Sequence, residues 1–204
     1  MSVETFYDKV DTQGCLAVGA TGIVAANMNS DGSVYLCRDM GAGGIAGDFE
    51  HTLETSLTAY TGTLAVGGIW GLANAKQKYF FGDSSVLYWW NMGGDLVLVL
   101  AGDGLFDYSV ALSLSTTYYI TITRIVPTTI YCVIYSDAAR TVVVDTLTPP
   151  LADGIDFRYV YTGYNYDTDE SGLKMSFTVD NLDLGLWKDT VAEIAPLSGD
   201  GRSL

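Results

Sequence analysis

Asp167 to Gly172, DTDESG, is the segment whose residue types come nearest to holding a metal. It sets acidic oxygens at Asp167 and Asp169, a hydroxyl at Ser171, and a glycine where the chain must bend, as in the first half of a calcium loop. The position that should supply a bidentate carboxylate is Thr178, and the flanks alternate as strands where an EF-hand has helices. Calcium on Asp167, Asp169 and Ser171 therefore needs further ligands from another loop, and the alternative is a solvated acidic turn.

The other reactive residue types are sparse. His51 is the single histidine and alternates with Phe49 and Leu53, which places it on a packed face as a structural residue and not as the base of a triad. Glu50 and Glu54 share a face but stand four residues apart, about 13 Å along a strand. The two carboxyls of a retaining glycosidase need about 5 to 5.5 Å. No G-x-S-x-G elbow occurs, and GAGGIAGD, Gly41 to Asp48, has neither the glycine spacing of a dinucleotide loop nor the lysine of a phosphate loop. It reads as a flexible loop. Cys15, Cys37 and Cys132 are an odd number without a C-x-x-C pair, so they are expected as small buried hydrophobes.

Aromatic residues give a broader signal. Trp89 and Trp90 are adjacent in a strand-like run, so they point to opposite faces, and only one face of a two-layer protein is core. Tyr161, Tyr164 and Tyr166 crowd a Gly, Asn and Asp loop. Flat rings with polar neighbours suit a sugar, whose C–H face stacks while its hydroxyls bond. Trp89, Trp90, Tyr161, Tyr164 and Tyr166 are therefore candidate carbohydrate-binding residues, packing or a subunit interface being the alternative.

The elements that must position these residues are strands. Short β-rich runs separated by Gly, Asp, Asn and Ser recur every ten residues or so, as in SSVLYWWNM, DLVLVLA, DYSVALSL, TYYITITRI and TIYCVIYS, the spacing of an antiparallel sandwich. In TYYITITRI, Tyr118, Ile120, Ile122 and Arg124 share one face and Tyr119, Thr121, Thr123 and Ile125 the other. Within IYSDAART the polar cluster is a hairpin loop, with Asp137 bonding its own turn backbone. Only LANAKQK, Leu72 to Lys78, offers a helical turn.

With 204 residues the chain suits one substantial domain. Its net charge of −14 and ten scattered basic residues argue against nucleic acid and anionic membrane surfaces as partners. The N-terminus carries Glu4, Asp8, Lys9 and Asp11 where a signal peptide needs an apolar stretch, so synthesis in the cytoplasm without a cleaved signal is expected. LVLVLA, bounded by Asp95 and Asp103, is too short to span a membrane as a helix.

The succession TFYDKVD, GDFEHTLE, IWGLAN, TTYYITITR, IYSDAART, DFRYVY and VDNLDL resembles the concanavalin A-like lectin and glucanase sandwiches, of the laminin-G type, found in phage and environmental viral proteins. The resemblance implies an all-β jelly roll of two antiparallel sheets over residues 1 to 185, with residues 186 to 204 left as an irregular C-terminal tail or arm. It implies glycan or partner binding at the concave face or its rim loops, and it raises the case for one calcium ion.

The resulting expectation is a non-catalytic, lectin-like virion accessory protein, a capsid decoration or tail module for surface display or carbohydrate adhesion. Its partners would be glycans or virion and capsid subunits, and the arm would mediate a homo-oligomer through Trp187, Ile194 and Leu197. The alternatives are a self-assembling structural subunit without glycan binding, or a divergent glycan-active enzyme.

Overall fold

A computed structural model describes residues 8–30, 33–76, 84–102, 104–125, 129–149, 156–165 and 172–184. Fourteen strands are formed: β1 (Asp8–Asp11), β2 (Leu16–Val18), β3 (Gly22–Asn29), β4 (Val34–Asp39), β5 (Phe49–Thr61), β6 (Val66–Ala73), β7 (Ser84–Met92), β8 (Asp95–Gly102), β9 (Leu105–Tyr108), β10 (Tyr118–Ile125), β11 (Thr129–Tyr135), β12 (Val143–Leu147), β13 (Tyr159–Thr162) and β14 (Lys174–Asp183). They make two seven-stranded antiparallel sheets. Sheet A runs β1-β4-β13-β6-β7-β8-β9 and sheet B runs β12-β11-β10-β5-β14-β3-β2. The all-β jelly-roll sandwich expected from the alternation is the observed fold, and no helix occurs among the described residues.

Alternation decides what faces inward. In β10, Tyr118, Ile120, Ile122 and Arg124 are buried while Tyr119, Thr121 and Thr123 are partly exposed, and Cys132 and Ile134 of β11 face the same core. From sheet A, Leu87 and Trp89 of β7 and Leu96, Leu98 and Leu100 of β8 close over them. Burial of this kind stabilises by roughly 1.5 to 3 kcal/mol for each large apolar side chain.

Two indoles bridge the sheets through polar contacts. Trp89 Nε1 donates to Thr55 Oγ1 at 2.9 Å, and the Thr55 hydroxyl donates to the Thr178 carbonyl at 2.8 Å. Trp70 Nε1 donates to His51 Nδ1 at 3.1 Å. The His51 ring also stacks on Phe49 with centroids 4.2 Å apart. These bonds satisfy groups that would otherwise be costly to bury.

Several local expectations need revision. Leu72 and Ala73, expected in a helical turn, belong to β6, where every residue is buried. DYSVALSL contributes only its first two residues to a strand, the end of β9. GAGGIAGD is tied down: Ile45 is buried, bridges Phe157, and its carbonyl accepts from the buried Arg124 guanidinium at 3.2 Å. The β11–β12 hairpin is as expected, Asp137 accepting from the backbone N–H groups of Thr141 and Val142 and from the Thr141 hydroxyl. The C-terminal arm, residues 186 to 204, lies outside the described residues.

Candidate functional site

Sheet A has a second face turned away from the core, and it is unusually aromatic. Antiparallel register places Tyr35, Cys37 and Asp39 of β4, Tyr159 and Tyr161 of β13, Val86, Tyr88 and Trp90 of β7, and Val97, Val99 and Ala101 of β8 on it. Glycine makes room for these rings: a Cβ on Gly68 of β6 would stand 2.1 Å from the Tyr164 ring.

This arrangement sorts the expected carbohydrate-binding residues. Trp89 is fully buried in the inter-sheet core and offers no ring face to a ligand. Tyr161 and Tyr164 lie on the outer side of sheet A but are also fully buried; the Tyr164 hydroxyl donates to the carbonyls of Trp70 and Leu87 at 2.9 and 3.2 Å. Their placement is physical: each ring packs over glycine-bearing β6, which the loop composition does not reveal. Trp90 alone of these four keeps a partly exposed ring. Tyr166, Asp167, Asp169 and Ser171, hence the calcium loop, lie outside the described residues. Among the described residues no group of three or more His, Cys, Asp or Glu side chains is placed to hold a metal ion.

At the β1, β4 and β13 end of the same face the structure gathers a charged cluster that local sequence does not reveal. Lys76, just past β6, bonds Asp8 at 2.8 Å. Arg158, just before β13, grips Asp39 with two nitrogens at 2.9 and 2.6 Å and lies 5.0 Å over the Tyr159 ring. Asp39 also accepts from the Gly41 N–H at 2.8 Å. The Arg158 bond, followed by the Gly41 bond, holds the Asp39 carboxyl down to about 2. The Asp8 bond, reinforced by the Asp8 charge, raises Lys76.

Three tyrosines complete the cluster. Tyr35 meets Tyr161 edge to face at 5.7 Å, and Tyr159 meets Tyr161 at 6.3 Å. The Tyr161 hydroxyl donates to the Ala75 carbonyl at 3.3 Å, which ties β13 to the segment carrying Lys76. Tyr35 and Tyr159 remain partly exposed. Cys37 between them is fully buried, and burial pushes its thiol up to about 11, so it is no nucleophile at neutral pH.

Two chemistries can be weighed on this geometry. Asp8 pairs with Cys37, and Asp39 is two residues further along β4, a diagonal relation of about 7 to 8 Å. That lies inside the roughly 6.5 to 9.5 Å separation of an inverting hydrolase. Each carboxylate, however, is bound to a cation, and Asp39 is held far below the range where it could act as a general acid. Tyr35 and Tyr159, in neither ion pair, are free of that objection, and Lys76 and Arg158 can meet an anionic ligand by exchanging it for Asp8 or Asp39. His51 is excluded from either role, being buried in the core with its ring pushed down to about 3 by desolvation.

No protein-family model matches the chain, and no curated protein matches it in sequence. Solved structures do resemble it. An alginate lyase from Alteromonas sp.272 superposes with a TM-score of 0.53 at 9% identity, over 88% of this chain and 93% of that one. The alginate lyase Aly36B, as a mutant in complex with alginate tetrasaccharide, gives 0.51 at 11% identity over 84% and 83%. A Trypanosoma rangeli sialidase gives 0.50 at 12% over 83% of this chain, which spans only 26% of the sialidase. At such identities the likeness is one of fold.

These neighbours bear out a jelly-roll sandwich and correct the functional expectation. The three bear the names of glycan-active enzymes, and none is a phage, capsid or lectin protein. The non-catalytic, virion-associated reading is set aside on that finding, and with it the expectation that the chain is not an enzyme.

Proposed function

We propose that this chain is a divergent glycan-active enzyme whose site is the tyrosine and cation cluster on the outer face of sheet A, and that it acts by elimination on an acidic sugar. One observation carries the choice. Both carboxylates of the cluster are neutralised by cations while Tyr35 and Tyr159 stay partly exposed beside them.

Elimination needs what this cluster contains. A cation beside the sugar carboxylate stabilises the charge that develops when the neighbouring C–H bond is broken. A phenol or phenolate exchanges that proton and protonates the departing glycosidic oxygen. The C–H and C–O bonds break, a C=C bond forms, the proton passes to the leaving oxygen, and no water is consumed. Lys76 or Arg158 would take the carboxylate by exchange with Asp8 or Asp39, and Tyr35 and Tyr159 are the proton carriers. The alginate lyase names among the similar folds agree with this class.

The test is a panel of acidic and neutral polysaccharides incubated with the wild-type chain and with Tyr35→Phe, Tyr159→Phe and Lys76→Met. Expected is release of products with an unsaturated end from an acidic glycan, lowered at least tenfold in one tyrosine variant and in the lysine variant. Saturated products from a neutral glycan, unaffected by all three substitutions, would overturn the assignment.

A further inference from the structure

The two ion pairs of the cluster are not built alike. Exposure does not separate them: the Lys76 and Asp8 side chains are 41% and 47% exposed, those of Arg158 and Asp39 43% and 39%. The number of bonds does. Arg158 meets Asp39 through two nitrogens, Asp39 also accepts the Gly41 N–H, and the guanidinium lies over the Tyr159 ring. A planar fork held at that many points fixes both partners. Lys76 meets Asp8 through a single 2.8 Å bond, as a point charge on a flexible stem.

The strands behind the pairs differ in the same sense. Asp39 lies directly opposite Tyr159, where β4 and β13 run side by side inside sheet A. Asp8 opens β1, a four-residue strand at the edge of that sheet. Short edge strands give way locally at less cost than inner ones. An exposed pair with one bond favours its closed form by no more than about fivefold, so an incoming anion can take the lysine.

Register says where that anion would stand. Asp8 is opposite Cys37 on β4, and Tyr35 and Asp39 are the diagonal positions to either side, about 7 to 8 Å away. A carboxylate that replaces Asp8 on Lys76 therefore lies near the partly exposed Tyr35 phenol. A neutral ring offers Lys76 nothing in place of the charge it would give up.

We infer that Asp8 is an internal competitor for the ligand's carboxylate: it holds Lys76 in the free protein and yields it to an acidic sugar, while Arg158 stays on Asp39 as the fixed wall of the site. The inference rests on the proposed function for the acidic sugar, but the exchange is a binding event that needs no turnover. Asp8 thereby sets the affinity of the site for anionic ligands.

The experiment measures calorimetric binding of tetragalacturonate, with cellotetraose as the neutral control, to wild type, Asp8→Asn, Asp39→Asn, Lys76→Met and the double variant Asp8→Asn/Lys76→Met. Asp8→Asn is expected to tighten tetragalacturonate binding about two- to fivefold, to bring no gain for cellotetraose, and to lose its effect when Lys76 is Met. Asp39→Asn is expected to lower the melting temperature without tightening binding. No tightening in Asp8→Asn, or no binding by it and wild type alike, would overturn the inference. So would a gain that survives Lys76→Met, which is a general effect of charge, or an equal gain in Asp39→Asn, which assigns the exchange to Arg158. Tightening that depends on Lys76, in a protein that turns over no acidic glycan, keeps the competitor and sinks the enzymatic reading. Unsaturated products from wild type, with binding unchanged in Asp8→Asn, sink the competitor alone.

Discussion

Between pH 6.5 and pH 5, acid should destabilise this protein chiefly through one residue, His51. Its ring is 3% exposed, lies against Phe49, and accepts the Trp70 indole N–H at 3.1 Å through Nδ1. Burial pushes it down to about 3 from an ordinary value near 6.5, against a smaller opposing pull from Asp183. Between those two values the unfolded chain binds a proton that the folded chain refuses, so stability falls as pH falls. The contribution is complete above about pH 6.5 and declines by about 1.4 kcal/mol for each pH unit below it. At pH 5 the loss is about 2 kcal/mol. Because His51 is the only histidine, denaturant titrations at intervals from pH 7.5 to pH 5 isolate it before the carboxylates titrate. His51→Gln keeps an acceptor for Trp70 and does not titrate, so the wild-type slope minus the variant slope is the quantity of interest. Equal slopes in the two proteins would refute the argument, whatever their absolute stabilities.

Other consequences are simpler to measure. Thr55→Val leaves the Trp89 indole N–H without its acceptor in the core, and should cost about 1 to 3 kcal/mol in denaturant titration. Gly68→Ala drives a methyl into the Tyr164 ring, and overpacking of this kind should cost about 1 to 3 kcal/mol or more, read from the melting temperature. Turnover of an acidic glycan by a chain of charge −14 should rise with added salt up to roughly 0.1 M, where the Debye length falls to about 10 Å and long-range repulsion is screened. A steady fall across that range would mean that attraction to the cations of the cluster dominates.

Much of the sandwich is legible in the sequence because alternation is a local property. Ile120, Ile122, Cys132 and Ile134 declare their side of the sheet within a few residues, and Asp137 declares its turn. His51 between Phe49 and Leu53 is likewise readable as a packed residue. The aromatics are not. Whether Trp89 or Trp90 faces the core depends on which side of β7 meets sheet B, and Tyr161 and Tyr164 are buried because glycine-bearing β6 lies beside them.

The candidate site is harder still. Asp8, Tyr35, Asp39, Lys76 and Arg158 are scattered over more than half of the chain, and they meet because β4 lies between β1 and β13, with β13 against β6. Non-consecutive pairing of that kind leaves no spacing to find. Only the pairing of a strand-end Asp39 with a strand-start Arg158 could have hinted at it, and opposite charges at strand ends are common.

The central claim is tested most directly by the mass of the product released from an acidic polysaccharide. Elimination by the cluster predicts oligosaccharides lighter by one water than their hydrolytic counterparts, formed by wild type and lost in Tyr35→Phe or Tyr159→Phe. Full-mass hydrolysis products, or elimination products that persist undiminished when both tyrosines and Lys76 are replaced, would contradict it.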